Sequence, residues 1–446
     1  MPQIPALALL ALLAGAATAH AQDAVVTAAD IEAAQFSGGD LPSGRSALTA
    51  KVQILLDRSG TSPGVIDGFK GEMSRSALMA FERRASLPMD GVLDPHVWNL
   101  LQAYAGKAAT QDYTITAADA EGLVDAIPTD YAEKAQMSAM AHTSVAERLA
   151  ERFHMDERFI GMLNPGAQFV PGETIKVMAP NPPLKGKVAR ILIDKATRRV
   201  AGYDAKGNMV VDYPATIGSS ATPSPEGNHD VRTVAVNPNY TYNPDVNFKQ
   251  GDNDKPLVVP PGPNGPVGSV WIGLSKPTYG IHGTPTPSQL FRNASNGCVR
   301  LTNWDAEELA RLVAIGGTAV EFLPEGVTIA EALNRGQAPT DTPVETPLAL
   351  PADAQPQTGA PALPGDAQPA TGAPESGVSD AVPADGVPAD AAPADAPPGD
   401  FALPDPALPE DTREEAAPGH DDPLSHALDG ALPEGFVVDP IAPANP

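Results

Sequence analysis

Apolar residues recur at helical spacing in the first part of this chain and in short runs broken by turns farther on, and the change marks its architecture. Ala47, Val52, Leu55 and Leu56 repeat at helical spacing, as do the runs Ser76–Phe81 and Val97–Leu101. Gly64-Val-Ile-Asp-Gly68 and Asp90-Gly-Val-Leu-Asp94 interrupt them with turn residues, so 45–105 reads as a small all-α three-helix domain. Residues 22–44, small and polar with Gly38-Gly39 and Pro42, read as a linker. Val145–Phe153 is amphipathic, and Asp156–Leu163 gives a second helix that ends at Asn164-Pro165. Pro171-Gly172 then turns into a strand through Val177, and Tyr113–Ile115 supplies an opening strand about 25 residues before the first helix. Beyond residue 187 short apolar runs are joined by polar turns at Lys195-Ala-Thr197 and Lys206-Gly-Asn208. Strands are expected at Val188–Asp194, Arg199–Tyr203, Met209–Thr216, Val270–Leu274 and Thr318–Leu323. A helix is expected over Trp304–Ile315, capped by Thr302 or Asn303. The Pro-rich stretch 238–266 is long enough to form binding loops.

Composition separates the ends from the middle. The net charge is −26, but 20 of the 55 acidic residues lie beyond Gln337 against one basic residue, Arg413. The folded part therefore has no basic face for nucleic acid. Residues 335–446 are Ala-, Pro- and Asp-rich, with one near repeat at 353–361 and 366–374. Too few large apolar residues are present to offset chain entropy, so an acidic, disordered tail is expected. At the other end, the run Leu7–Leu13 precedes Ala19-His-Ala21, the pattern of a cleaved signal peptide over 1–21, without a basic residue ahead of it. No other segment is apolar enough to span a bilayer. Export to the periplasm is the expectation.

Cys298 is the only cysteine in 446 residues. An exported thiol that cannot pair internally is a liability unless it is used. It lies in Ser295-Asn-Gly-Cys-Val-Arg-Leu301, sixteen residues after His282 of Tyr279-Gly-Ile-His-Gly-Thr284. A cysteine nucleophile needs a base and backbone N–H groups for the oxyanion, and imidazole titrates near neutral pH. A glycine before the cysteine permits a sharp turn and close approach. No histidine cluster points to a metal.

These two motifs, with Thr222-Pro-Ser-Pro-Glu-Gly227, Asn237-Pro-Asn-Tyr240, Val259-Pro-Pro-Gly-Pro263 and Val267-Gly-Ser-Val-Trp-Ile-Gly-Leu274, resemble the L,D-transpeptidases of the YkuD type over residues 187–323. The helical domain resembles the type 1 peptidoglycan-binding domain at Leu56, Gly64, Ile66, Asp67, Gly68, Ala80, Phe81, Asp90, Gly91 and Trp98. Residues 106–180 are similar to a LysM-like α/β module or are a spacer. The resemblance implies a multidomain protein with a mainly-β, β-sandwich-like catalytic domain. It also implies acyl transfer on peptidoglycan without a cofactor. Cys298 would attack a tetrapeptide stem and release D-alanine; an amine then takes the acyl group. The acceptor stays open: another stem, a free D-amino acid, or an amine of an outer-membrane protein.

By the same resemblance, His282 is the general base, the Gly283 carbonyl orients it, and the Gly297 N–H helps to form the oxyanion hole. Tyr279 lines the site. Arg300 could grip a stem carboxylate through its planar fork or form a structural ion pair, with Asp305 as a partner. Asn296 stands where many members have histidine, and it positions substrate without titrating. Ser295 belongs to the same binding stretch, as a turn-stabilising hydroxyl. Two other readings compete: an L,D-carboxypeptidase or cross-link-cleaving hydrolase of the same fold, and a non-enzymatic wall-binding scaffold.

Overall fold

The computed structural model describes residues 26–337, apart from 219–222, 246–247, 293–294 and 296. The signal segment, most of the acidic tail, Thr222 and Asn296 lie outside the described residues.

The chain opens with α1 (Ala28–Ala33), inside the stretch read as linker. Thr27 and Asp30 close a capping box around its first turn, and Ile31 is fully buried with Val26 and Leu41 nearby in the same core. Three scattered apolar residues among small polar ones were too sparse to show a period, yet they anchor the segment. Next come α2 (Ala47–Arg58), α3 (Glu72–Arg84) and α4 (Pro95–Leu101), the three helices that the spacing predicts. Ser46 and Asp94 cap α2 and α4 with their side-chain oxygens. Gly64, Gly68 and Gly91 take positive φ between these helices.

A second unit follows: β1 (Thr110–Thr114), α5 (Tyr131–Lys134), α6 (Val145–Arg152), α7 (Glu157–Leu163) and β2 (Thr174–Met178). β1 and β2 pair antiparallel, Thr110 opposite Met178, and α6 and α7 pack together between them in sequence. Apart from the one-turn α5, the order strand, helix, helix, strand is the one expected for this stretch. It does not stand apart, however. One apolar cluster runs from Val26 through Leu55, Phe81 and Trp98 to Phe159 and Met178. The two N-terminal units therefore share a core and form one body.

The remainder of the described chain carries β3 (Arg190–Asp194), β4 (Arg199–Tyr203), β5 (Met209–Pro214), β6 (Thr216–Ile217), β7 (Gly227–Val236), β8 (Tyr240–Tyr242), β9 (Leu257–Val259), β10 (Val270–Leu274), β11 (Gly280–His282), β12 (Val299–Arg300) and β13 (Ala319–Phe322). Nine of these form one sheet in the order β5-β4-β3-β13-β7-β10-β11-β12-β6; β8 and β9 pair separately. β5 and β6 lie at opposite edges, yet only Ala215 separates them. Eight inter-strand gaps of about 4.8 Å would put the edges of a flat sheet about 38 Å apart. Two Cα–Cα steps reach about 7 Å at most. The sheet must therefore fold back on itself, which gives the mainly-β domain its two-layered character. Its interior holds Ile191, Val211, Ile272, Ile281 and Val299, closed by α8 (Asn303–Leu312), which is capped by Thr302. On the opposite face of β3 and β4, Leu192 and Ala201 meet Ile329 of α9 (Ile329–Gln337), whose first N–H donates to buried Asp194 at 2.8 Å.

Candidate active site

Two neighbouring parallel strands bring the predicted residues together. β11 pairs with β12, Ile281 opposite Val299 and His282 opposite Arg300. Side chains alternate along a strand, so Ile281 and Val299 share the core face and are fully buried. His282 and Arg300 share the other face, and so does Cys298, one residue before β12. On β10, Trp271 is opposite His282, and its indole stacks on the imidazole with centroids 5.5 Å apart. Gly280 carries no side chain because that indole occupies the space: a Cβ there would meet the ring at 2.6 Å.

Gly297 has φ +100°, in the left-handed region, and a Cβ would meet the Tyr279 ring at 3.0 Å. The turn into the cysteine thus demands glycine twice over, and it places Tyr279 against the same backbone. Cys298 is half-buried, and its Sγ lies 3.6 Å from the Thr278 carbonyl. Ser224 Oγ donates to the Gly297 carbonyl at 2.6 Å. Ser295 is buried; its hydroxyl donates to the Cys298 carbonyl at 2.6 Å and accepts from Gly218 N at 2.7 Å. That hydroxyl braces the Cys298 turn and is already committed on both sides.

His282 Nδ1 lies 2.7 Å from the Gly283 carbonyl, as the resemblance expects. A carbonyl can only accept, so Nδ1 carries the proton and Nε2 keeps the lone pair. Burial lowers the imidazole pKa to about 4, reinforced by the Arg300 charge and partly opposed by the Gly283 and Val267 carbonyls. Neutral imidazole is thus the resting state near neutral pH, rather than the thiolate–imidazolium pair that cysteine–histidine sites often hold. Burial also lowers Arg300, while Cys298, Tyr131 and Tyr240 pull it back up. Asp305 is turned away from this cluster: Ser62 Oγ donates to its carboxylate at 3.0 Å, and burial lifts it to about 7.

Asn303 carries no signal as a site residue in the sequence beyond its place at a helix start. Its Oδ1 accepts from Ser269 N at 3.3 Å and fills the space where Gly268 and Gly283 lack a Cβ. Its Nδ2 donates to both Glu151 oxygens at 3.1 Å and to the Pro263 carbonyl at 3.2 Å. Glu151 belongs to α6, so the N-terminal body braces the Gly283 peptide to which His282 is hydrogen-bonded. His229 lies outside the site, edge-on to Phe322 at 5.7 Å.

Comparison with known proteins agrees with the geometry. Residues 188–322 match the family model described as the L,D-transpeptidase catalytic domain, YkuD, and residues 45–101 match a "Putative peptidoglycan binding domain". The chain is 34% identical over 135 residues to "Putative L,D-transpeptidase YkuD" of Bacillus licheniformis, covering 30% of this chain and 66% of that protein. It is 31% identical over 140 residues to "Probable L,D-transpeptidase YbiS" of Escherichia coli, covering 31% and 45%. The chain thus spans between 33% and 66% of the length of such relatives. A crystal structure of the L,D-transpeptidase from Xylanimonas cellulosilytica aligns over 65% of this chain and 99% of that one. At 15% identity and a TM-score of 0.30, that likeness carries no argument.

Proposed function

Residues 188–322 belong to the YkuD L,D-transpeptidase catalytic domain family, and from that premise we propose that this protein is a peptidoglycan L,D-transpeptidase with Cys298 as nucleophile and His282 as base. The observation that carries the reading is the common face of β11 and β12. It aligns an imidazole with its lone pair on Nε2, a half-buried thiol and a guanidinium. The peptidoglycan-binding domain at 45–101 supports the same substrate.

In the first step Cys298 Sγ attacks the carbonyl of diaminopimelate in a donor tetrapeptide stem. The thiol proton passes to His282 Nε2. The backbone N–H groups of Gly297 and Cys298 face the developing oxyanion. Collapse breaks the amide to D-alanine, whose amine takes the proton back from His282. An acceptor amine then attacks the thioester; His282 takes its proton and returns it to the Cys298 sulfur. The charge on Arg300 favours thiolate character in the attacking sulfur and binds a carboxylate of the stem. Tyr279 supports the cysteine turn, and Asn296 flanks it. No cofactor enters either step. The two-step exchange conserves the energy of the amide bond in the thioester, which suits a compartment without ATP. Residues 106–180 act as a LysM-like glycan-binding module, and the leader delivers the protein to the periplasm. Among the described residues no helix is long and apolar enough to cross a membrane. The acceptor is a second stem, a D-amino acid or a protein amine.

Incubation with disaccharide-tetrapeptide should yield a cross-linked dimer lacking one alanine, detected by mass, and Cys298→Ala should yield none. A tripeptide product without dimer or D-amino acid exchange would favour the hydrolase. An unreacted substrate, with folded protein and a reduced thiol, would favour the scaffold.

A further inference from the structure

The imidazole of His282 is held at one polar point, where Nδ1–H meets the Gly283 carbonyl at 2.7 Å. Among the described residues no carboxylate pairs with it, and Arg300 lies opposite it on β12. A single hydrogen bond is a pivot: it fixes one atom of the ring and leaves the plane free to swing. It also puts no negative charge beside the imidazolium that forms when the thiol proton arrives.

Trp271 lies on the other side of His282, opposite it on β10. The two ring centroids are 5.5 Å apart and their planes differ by 20°, an offset stack. The strands make room for this indole at two places. A Cβ on Gly280 would meet its Cζ2, Cε2 and Cη2 at 2.6, 2.7 and 2.8 Å, and one on Gly273 would meet its Nε1 at 3.0 Å. Neither glycine is among those with positive φ. The backbone therefore does not call for glycine at either place; the ring does. Nor does the ring serve the core. Val270 and Ile272 take the core face of β10, while Trp271 is half-buried on the face of His282 and Arg300. An aromatic face nearly parallel to the imidazole stops it from turning about its hydrogen bond. It also attracts the imidazole more strongly once that ring is charged.

We propose that Trp271 is a positioning residue for His282: its indole locks the plane of the base and stabilises the imidazolium formed as Cys298 gives up its proton. It does by stacking what a carboxylate does by charge in a Ser-His-Asp triad. The proton still passes from Sγ to Nε2, and the indole neither gives nor takes one. The proposal rests on the reading of His282 as the base.

The test is a double-mutant cycle on the full chain, with D-alanine release from disaccharide-tetrapeptide as the readout. Trp271→Leu should lower kcat about tenfold, the size of one well-desolvated cation–π contact. KM should stay unchanged, because the indole acts on the base and not on substrate. Trp271→Phe, which keeps an aromatic face, should recover most of the loss. In His282→Ala, itself roughly a thousandfold slower, Trp271→Leu should lower the residual rate no further. An indole with a merely structural role would slow both backgrounds equally, and that result overturns the proposal. So does a kcat for Trp271→Leu equal to that of the unmodified protein, or a Trp271→Phe as slow as Trp271→Leu. If His282→Ala turns over at the unmodified rate, the reading of the base and this proposal fall together. Melting curves show that each variant is folded. Trp271→Met, which fills the space without a ring, carries the same comparison should Trp271→Leu not fold.

Discussion

Two histidines in this protein, one buried and one half-buried, are driven in opposite directions. His282 faces Arg300 and is pushed down to about 4. His154, where the N-terminal body meets the catalytic domain, is also pulled down by burial. It lies 2.9 Å from Asp57 with Asp305 and Glu308 nearby, and they carry it above its ordinary value. It stacks on Trp304 at 5.3 Å, in a cavity of about 470 Å³ lined by all three units. Desolvation opposes charge at both places, and the neighbours decide the outcome. Beside a guanidinium the imidazole is held toward its neutral form; among carboxylates it is held toward its charged form.

The largest effect that sharpens this contrast is on turnover. His282→Ala should lower kcat by roughly a thousandfold or more, as loss of a general base does, and leave the melting temperature nearly unchanged. His154→Ala should do the reverse: a fall in melting temperature with kcat per folded molecule within about twofold. Activity measured alongside circular dichroism melts separates them.

Next is the acid limb of kcat/KM. With a base titrating at about 4, activity should persist well below the ordinary histidine range. Arg300→Gln should move that limb upward, toward but short of 6.5, because burial remains. A limb at 6.5 in the unmodified protein would break the contrast.

Stability against pH gives a smaller effect. Burial raises Asp305 to about 7, opposed by Thr302, His154 and Ser62. A carboxyl with a raised pKa binds its proton more tightly when folded, so its contribution falls as pH rises from about 4 through about 7. His154, also raised, adds a loss that continues above 6.5 until its folded pKa is passed. His282 acts oppositely, with stability rising between about 4 and 6.5. Asp305→Asn should flatten the decline between pH 6 and 8, both directly and by removing one of the carboxylates that raise His154, against the end of the His282 rise; melts across that range read it.

The smallest effect is that of Glu151→Gln. A glutamine can still accept from Asn303, but through one oxygen in place of two, so kcat should fall about threefold with KM unchanged, in keeping with one weakened charge-assisted bond. Steady-state kinetics check it.

The β-sheet was legible because short apolar runs between polar turns mark its strands: Arg199–Tyr203 and Val270–Leu274 fall where those runs put them, and they are largely buried on both faces. Cys298 and His282 stand out in the sequence because the chain's one thiol and its glycine-flanked motif carry chemistry in their residue types. The docking of Tyr131 against the Pro-rich loops does not. Tyr131 sits in a polar stretch with no periodicity, and its partners Tyr242 and Gln250 lie more than a hundred residues away, so only the folded chain shows the contact. Asn303 reads as a cap candidate, while its role depends on two glycines and a glutamate brought to it by three different segments. The helix at Ala28–Ala33 escaped because six residues are too few for a period, although its capping box was present in the sequence.

The most direct test is intact-mass analysis of the acid-quenched protein mixed with a tetrapeptide donor. The account predicts a stem adduct on Cys298 with one D-alanine released per adduct, and neither in Cys298→Ala. Release of D-alanine that persists in Cys298→Ala would contradict it.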